Sequence, residues 1–442
     1  MPADSPLSST FAARATTSVN VRIRLYAMMF LQYFAQGCYL PIMSVYAKDA
    51  LGFDQAQLGY FQAALAIGPL FAPFVLGQLI DRHFATERVL AAAHLLSGPL
   101  MILLFFQTSF AAVALVGSLY SILFVPSQMV TNSLAFHHLK NRGAEFPFVR
   151  LWGTIGFILP AWFIEYFLLS GLQGEELDRA RGVTLLLAGL TGIILGFYSL
   201  TLPHTPPVER RDRAFAPLAV LAMLRQRHFL VLVVVSFFVA MVHQYHWLWN
   251  GPFLKSLLRS GGVLGAWEQR ISSLGQIGEI AVMACLGMLL ARLGFKATML
   301  VGLVSYFARC AVFAVVAALK LPFAAAMTLT CFGEALHGLC FGCFMAVAYI
   351  YVDRVAPADI RGSMQSVYGT FVLGLGLFIG GVVGGWVGSW ALPTSAAGED
   401  NMLIALSAWT NIWLAGGALA AACVVVFSLG FPRTTLSPSG DG

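Results

Sequence analysis

The chain has 442 residues, 59% of them hydrophobic and only 10% charged, against roughly 25% charged in an ordinary soluble domain. That balance excludes a soluble globular protein and points to a polytopic membrane protein. The formal net charge of +6 calls for no nucleic-acid partner, because the basic residues lie in connections where membrane topology puts them.

Residues 1–20, rich in Ser, Ala and Thr, have no apolar core before Val21 and are expected to form a disordered cytoplasmic tail. Twelve apolar segments follow, near 24–47, 57–79, 88–106, 110–137, 149–169, 182–202, 229–257, 271–291, 297–317, 322–351, 363–389 and 404–430. Each approaches the length of about 20 residues that carries a helix across roughly 30 Å of hydrocarbon, where every backbone N–H and C=O must be paired inside the helix. The expectation is an all-α membrane protein of twelve transmembrane helices. The longest polar stretch, 203–228, contains Pro203, Pro206, Pro207 and Pro217 and is read as a cytoplasmic linker. It divides a six-helix bundle over 21–202 from a second over 229–430, and 431–442 form a C-terminal cytoplasmic tail.

Positive loops stay on the cytoplasmic side. With the N-terminus inside, the inner segments hold Arg14, Arg22, Arg24, Arg82, Arg88, Lys140, Arg142, Arg150, Arg210, Arg211, Arg213, Arg225, Arg227, Arg292, Lys296, Arg354, Arg361 and Arg433. The outer ones hold only Lys48, Arg179, Arg181, Lys255, Arg259, Arg270 and Lys320. Both termini are therefore expected inside, in a cell inner membrane.

Each half repeats a pattern between its second and third helices: Gly77-Gln-Leu-Ile-Asp81-Arg82 in the first and Gly287-Met-Leu-Leu-Ala291-Arg292 in the second. A glycine there lets two helices approach, and a charge one turn on meets a helix end or a carboxylate at the membrane edge. The pair resembles the loop signature of the major facilitator superfamily, with Asp81 kept and its counterpart replaced by Ala291. That resemblance implies two bundles rocking about a central site. The eleventh segment carries Gly376, Gly380, Gly384 and Gly388 at intervals of four, a smooth stripe for helix packing.

An ionisable group at bilayer depth costs several kcal/mol unless it meets a cavity or a partner. The candidates are Arg150 and Glu165 of the fifth segment, Glu279 of the eighth, Arg309 of the ninth, and Glu334 and His337 of the tenth. Gln32, Asn132, His243, Gln244, His246, Asn250 and Gln276 add uncharged polarity. Gln276 and Glu279 share a helix face, as do Arg150, Thr154 and Phe157. The structural alternative for Arg150 is a cytoplasmic anchor, and for Glu279 an ion pair with Arg309. Glu165 and Glu334 read first as structural or edge residues. The run from Met241 to Asn250 mixes aromatic and hydrogen-bonding side chains, which suits either a flat polar ligand or an interfacial aromatic belt. The seven cysteines read as small packing residues, and the Cys340/Cys343 spacing lacks a second ligand pair for a metal. No catalytic triad, cofactor loop or Walker sequence is present, so secondary transport is expected, without enzymatic activity or cofactor.

The stretches Phe146-Pro-Phe-Val-Arg150-Leu-Trp-Gly-Thr154-Ile-Gly-Phe157-Ile, Leu200-Thr-Leu-Pro-His204, Gly275-Gln276-Ile-Gly-Glu279 and Leu336-His337-Gly-Leu-Cys-Phe341 are similar to those of the nucleoside:proton symporter family. So are Ile350-Tyr-Val-Asp353-Arg and Ile360-Arg361-Gly-Ser-Met-Gln365. The resemblance implies a nucleoside site lined by Arg150, Thr154, Phe157, Gln244, Gln276, Glu279 and Phe341, with protons as coupling ion and no further partner beyond lipid. Trp247 and His337 join that site on residue chemistry, and Glu279, His337 and Arg309 are the candidates for proton coupling. Two positions depart from the family: Gly342 replaces an aspartate and Trp247 an asparagine. His337 and Arg150 also look like the lactose permease and phenylpropionate permease branches, the alternative being symport of a sugar or small aromatic acid. A monomer is expected.

Overall fold

The computed structural model describes residues 17–71, 84–207, 223–357, 361–392 and 405–432, and its regular structure is helical throughout. Nine helices among the described residues are long and apolar enough to cross a membrane. The longest, Glu268–Ala318, has 51 residues. At 1.5 Å per residue it would run more than twice the hydrocarbon thickness if straight. It turns at Gly294, whose φ of 72° and ψ of 175° only glycine adopts without strain. The fold-back carries the eighth and ninth predicted spans, and both return to His337. A Cβ added at Gly275 would lie 3.0 Å from the His337 Cβ, and an Arg309 nitrogen lies 2.9 Å from the His337 ring.

The first predicted span is broken. Helices Val19–Tyr39 and Met43–Asp49 flank Pro41, which has no N–H to give a continuous ladder. The second starts as Gln55–Leu65, opened by a capping box in which Asp54 accepts from the Gln57 N–H and the Gln57 side chain accepts from the Asp54 N–H. In the tenth, the α-helix Phe323–Ala335 gives way after His337–Leu339 to a π-helical turn over Cys340–Ala346. Such widened turns redirect side chains and recur at functional sites.

The glycine stripe of the eleventh span is a packing face. A Cβ at Gly380 would fall 2.7 Å from the Met241 Cα, and one at Gly388 would fall 2.1 Å from the Trp249 ring, so both let the seventh span sit flush. The neighbouring Gly385 packs against the second span: a Cβ at Gly59 would be 2.5 Å from the Gly385 Cα. That crossing brings the two halves into backbone contact.

Beside it lies a seam of buried ion pairs. Lys255 bridges Asp49 and Asp178 at 2.6 Å each, Arg181 reaches Glu268 at 2.7 Å and also pairs with Asp178, and Arg270 meets Glu165 at 2.9 Å. The Glu165 carboxylate also accepts from the Gln269 N–H at 2.8 Å, and the Gln269 amide donates to the Cys38 carbonyl at 3.3 Å. Asp49, Glu165, Asp178 and Arg181 come from the first half, and Lys255, Glu268 and Arg270 from the second. Arg181, Lys255 and Arg270, read from the sequence as loop charges, are largely sequestered from water here. Among the described residues, hydrogen bonds at the opposite end of the helices run within one half, as between Arg24 and the Thr201 carbonyl or Lys296 and the Ser428 carbonyl.

Removing one member of a buried pair strands the other, at a cost of about 3–5 kcal/mol that hydration relieves when the seam opens. Arg181→Met is therefore expected to open the seam and raise the labelling rate of buried Cys38 by a membrane-impermeant maleimide about tenfold or more. An unchanged rate shows that the ion pairs do not hold this end shut.

Candidate functional site

The fifth span brings Arg150 against the first. Its guanidinium lies over the Tyr33 ring, 4.2 Å from the centroid, in a cation–π contact. Gly153 makes the space: a Cβ there would be 2.7 Å from an Arg150 nitrogen and 2.8 Å from the Tyr33 ring. One buried guanidinium nitrogen of Arg150 has no hydrogen-bond partner. Glu279, half-buried on the eighth span, lies close enough to feel the Arg150 charge, yet no ion pair joins them among the described residues. A guanidinium of the first half and a carboxyl of the second thus lie within electrostatic reach, with hydrogen-bonding capacity left over on Arg150. Gln276 is buried on the Glu279 helix face, and Thr154 is half-buried one turn beyond Arg150.

Aromatic rings continue this surface. Phe157 meets Trp247 across the halves at 6.2 Å between centroids, with the planes inclined at 69°. The Trp247 indole N–H donates to His243 Nε2 at 3.1 Å, and His243 Nδ1 lies 3.1 Å from the Tyr306 hydroxyl. An indole only donates, so His243 Nε2 accepts, and its proton sits on Nδ1 and points at Tyr306. Half-buried Phe341 lies 6.4 Å from His243.

The same logic fixes His337. Arg309 can only donate, so His337 Nδ1 accepts its N–H at 2.9 Å and the imidazole is neutral with its proton on Nε2. His337 lies 5.5 Å from His243 and 6.0 Å from both His246 and Trp247 between ring centroids. Arg309 is therefore tied to the aromatic surface through imidazoles and does not form an ion pair with Glu279.

Position 342 has a steric account. A Cβ on Gly338 would come 2.3 Å from the Gly278 backbone, so the eighth and tenth spans touch main chain to main chain. One turn on, a Cβ at Gly342 would fall 2.6 Å from Val282 Cγ1, a stiff β-branched side chain. The aspartate that the resemblance leads one to expect has no room here.

Other expected site residues lie elsewhere. The Gln244 amide donates to the Gln62 side chain at 3.2 Å, in a chain that continues through Ser44 to the Trp247 carbonyl and helps join the halves. Gly77, Asp81 and Arg82 lie outside the described residues. Gly287 is exposed, with nothing among the described residues within 4 Å of an added Cβ, so no described helix makes the close approach expected there, and Arg292 is exposed beside it. The residue that turns this connection is Gly294. Tyr33 and Tyr306 were not identified from sequence. The signal for the histidines was present, since 243, 246, 247 and 250 recur at helical spacing on one face.

The sequence profile of the nucleoside H+ symporter family matches residues 19–435. YegT of Escherichia coli (strain K12) is 28% identical over 416 residues, covering 92% of this chain and 93% of YegT. The nucleoside permease NupG of the same organism is 25% identical over 376 residues, covering 82% of this chain and 87% of NupG. The crystal structure of the nucleoside transporter NupG superposes with a TM-score of 0.78 at 24% identity, covering 94% of this chain and all of that one. The fold is that of the major facilitator superfamily.

Tyr306→Phe removes the acceptor for the His243 Nδ1–H in a dry site. The stranded donor should destabilise the protein by about 1–3 kcal/mol, read as a lower melting temperature in detergent. Unchanged melting would mean that this N–H has another partner.

Proposed function

The chain belongs to the nucleoside H+ symporter family, and from that premise we propose that it takes up nucleosides with protons by alternating access, binding them between Arg150 of the first half and Glu279 of the second. The observation that carries this reading is the pair itself: opposite charges on facing halves, not bonded to each other, beside an aromatic surface. A nucleoside offers a flat base and a hydroxylated sugar. Phe157, Trp247 and Phe341 present faces and edges for the base. Arg150 donates to ligand acceptors, Glu279 accepts from hydroxyls, and Gln276 does either. A ligand bridging Arg150 and Glu279 draws the halves together, which gives binding its leverage over rocking.

The Lys and Arg bias of the loops supports an orientation with the seam of ion pairs on the outer side and both termini in the cytoplasm. The conformation is then closed outward, and opening the seam admits substrate. The carrier serves the cell inner membrane in this reading and works as a monomer, because each chain holds both halves of the binding site. The apolar Trp247 in place of a hydrogen-bonding side chain favours stacking over polar recognition at that edge of the base.

Uptake in a transport-deficient strain should be competed by nucleosides and not by free sugars or aromatic acids, and a protonophore should collapse accumulation. Inhibition by a sugar or an aromatic acid in preference to every nucleoside refutes the assignment. Loss of a charge-assisted hydrogen bond is worth roughly 1.5–3 kcal/mol, so Arg150→Ala should weaken nucleoside binding about 10- to 150-fold. Near-normal affinity in folded Arg150→Ala protein would make Arg150 an anchor.

A further inference from the structure

Glu334 is unused by the binding site just described. It lies in the last turn of the helix Phe323–Ala335 on the tenth span and is 1% exposed. Oε1 has no hydrogen-bond partner, and Oε2 is 3.9 Å from His246 Nε2, beyond hydrogen-bond length. His246 is itself buried, stacked at 6.2 Å on Phe313 and tilted at the same distance from Trp413, and its Nδ1 is unpartnered. Arg309 has no exposed surface. It bonds His337 through one nitrogen and leaves Nε and Nη2 without partners.

These are the parts of a switch with one proton too many or too few. An ionised carboxylate placed here would lack both water and a bonded cation, an arrangement worth several kcal/mol against it. A protonated carboxyl has no such penalty. Arg309, within electrostatic reach of Glu334, has two unpartnered nitrogens with which to receive the carboxylate once it ionises.

We propose that Glu334, with His246 as its proton acceptor, carries the coupled proton in the interior of the second half. This rests on the symport reading above. In the arrangement seen, the proton is on Glu334 and Arg309 is held by His337. When Arg309 leaves His337 for Glu334, the carboxyl O–H bond breaks and the proton passes to His246 Nε2. The carboxylate keeps the electron pair and Arg309 neutralises it. His246 then releases the proton to water on the open side, and one proton has moved.

The groups facing Glu334 are His246 and Asn250 from the seventh span, Arg309 from the ninth, and Cys331 on its own helix. The link to substrate runs through His337, which touches Trp247 and His243 on the aromatic surface. A base packed on Trp247 holds those rings in place, and with them the Arg309–His337 bond. Its departure frees Arg309.

The test uses purified full-length protein in proteoliposomes with radiolabelled uridine and adenosine. Glu334→Gln should lower proton-driven accumulation at least tenfold, while counterflow exchange, which needs no net proton movement, stays within twofold of wild type. Wild-type accumulation by Glu334→Gln overturns the proposal, and so does equal loss of counterflow, which marks a structural role. A second measurement does not depend on the substrate. The infrared spectrum at neutral pH should contain a protonated-carboxyl C=O band that is lost in Glu334→Gln and kept in Glu279→Gln. A spectrum in which Glu334→Gln removes no such band also overturns it. Failure of the wild type to move any nucleoside would instead refute the nucleoside reading, with the infrared band still deciding the state of Glu334.

Discussion

A guanidinium cannot shed its proton, and Arg309 holds one with no exposed surface inside a segment that crosses hydrocarbon. The arrangement of the second half follows from that constraint. His337 must be neutral to accept from Arg309, Glu334 lies within electrostatic reach to receive the guanidinium once it ionises, and the ninth span must double back at Gly294 for Arg309 to meet the tenth. The backbone contact between Gly278 and Gly338 then sets the distance at which the eighth and tenth spans share these groups.

The molecule handles buried charge in two ways. At the seam, the four acids Asp49, Glu165, Asp178 and Glu268 are met directly by the three bases Arg181, Lys255 and Arg270, so each acid has a cation beside it and the separation of the halves has a defined cost. In the interior, Arg309 and Glu334 stay apart and histidines stand between them. Direct pairing gives a latch. Interposed imidazoles give a set of groups that rearrange with a proton, because each ring carries one nitrogen that donates and one that accepts.

Apolar length and charge placement made the helical membrane fold legible, and Gln276 and Glu279 marked one wall of the proposed site at helical spacing. Contacts made between distant segments were not legible. Nothing local to Gln244 says that Gln62 will engage it, and nothing near Arg181 says that Glu268 lies opposite, so a loop charge and a latch look alike in sequence. Gly287 and Gly294 show the same limit. Both are glycines near a helix end, and only the positive φ at Gly294 separates a turn from an exposed helical position. Glu334 read as structural because its neighbours come from the seventh and ninth spans.

The clash between a side chain at position 342 and Val282 has a consequence for how this sequence can change. Two substitutions at contacting sites are not independent, and here their order matters. An aspartate arriving at 342 while valine occupies 282 must force apart two spans whose backbones already touch at Gly278 and Gly338. A smaller residue at 282 removes the obstacle beforehand. The accessible mutational path between this chain and relatives carrying the aspartate therefore passes through position 282 first, and swapping residue 342 alone between such proteins transplants a strain along with a carboxylate.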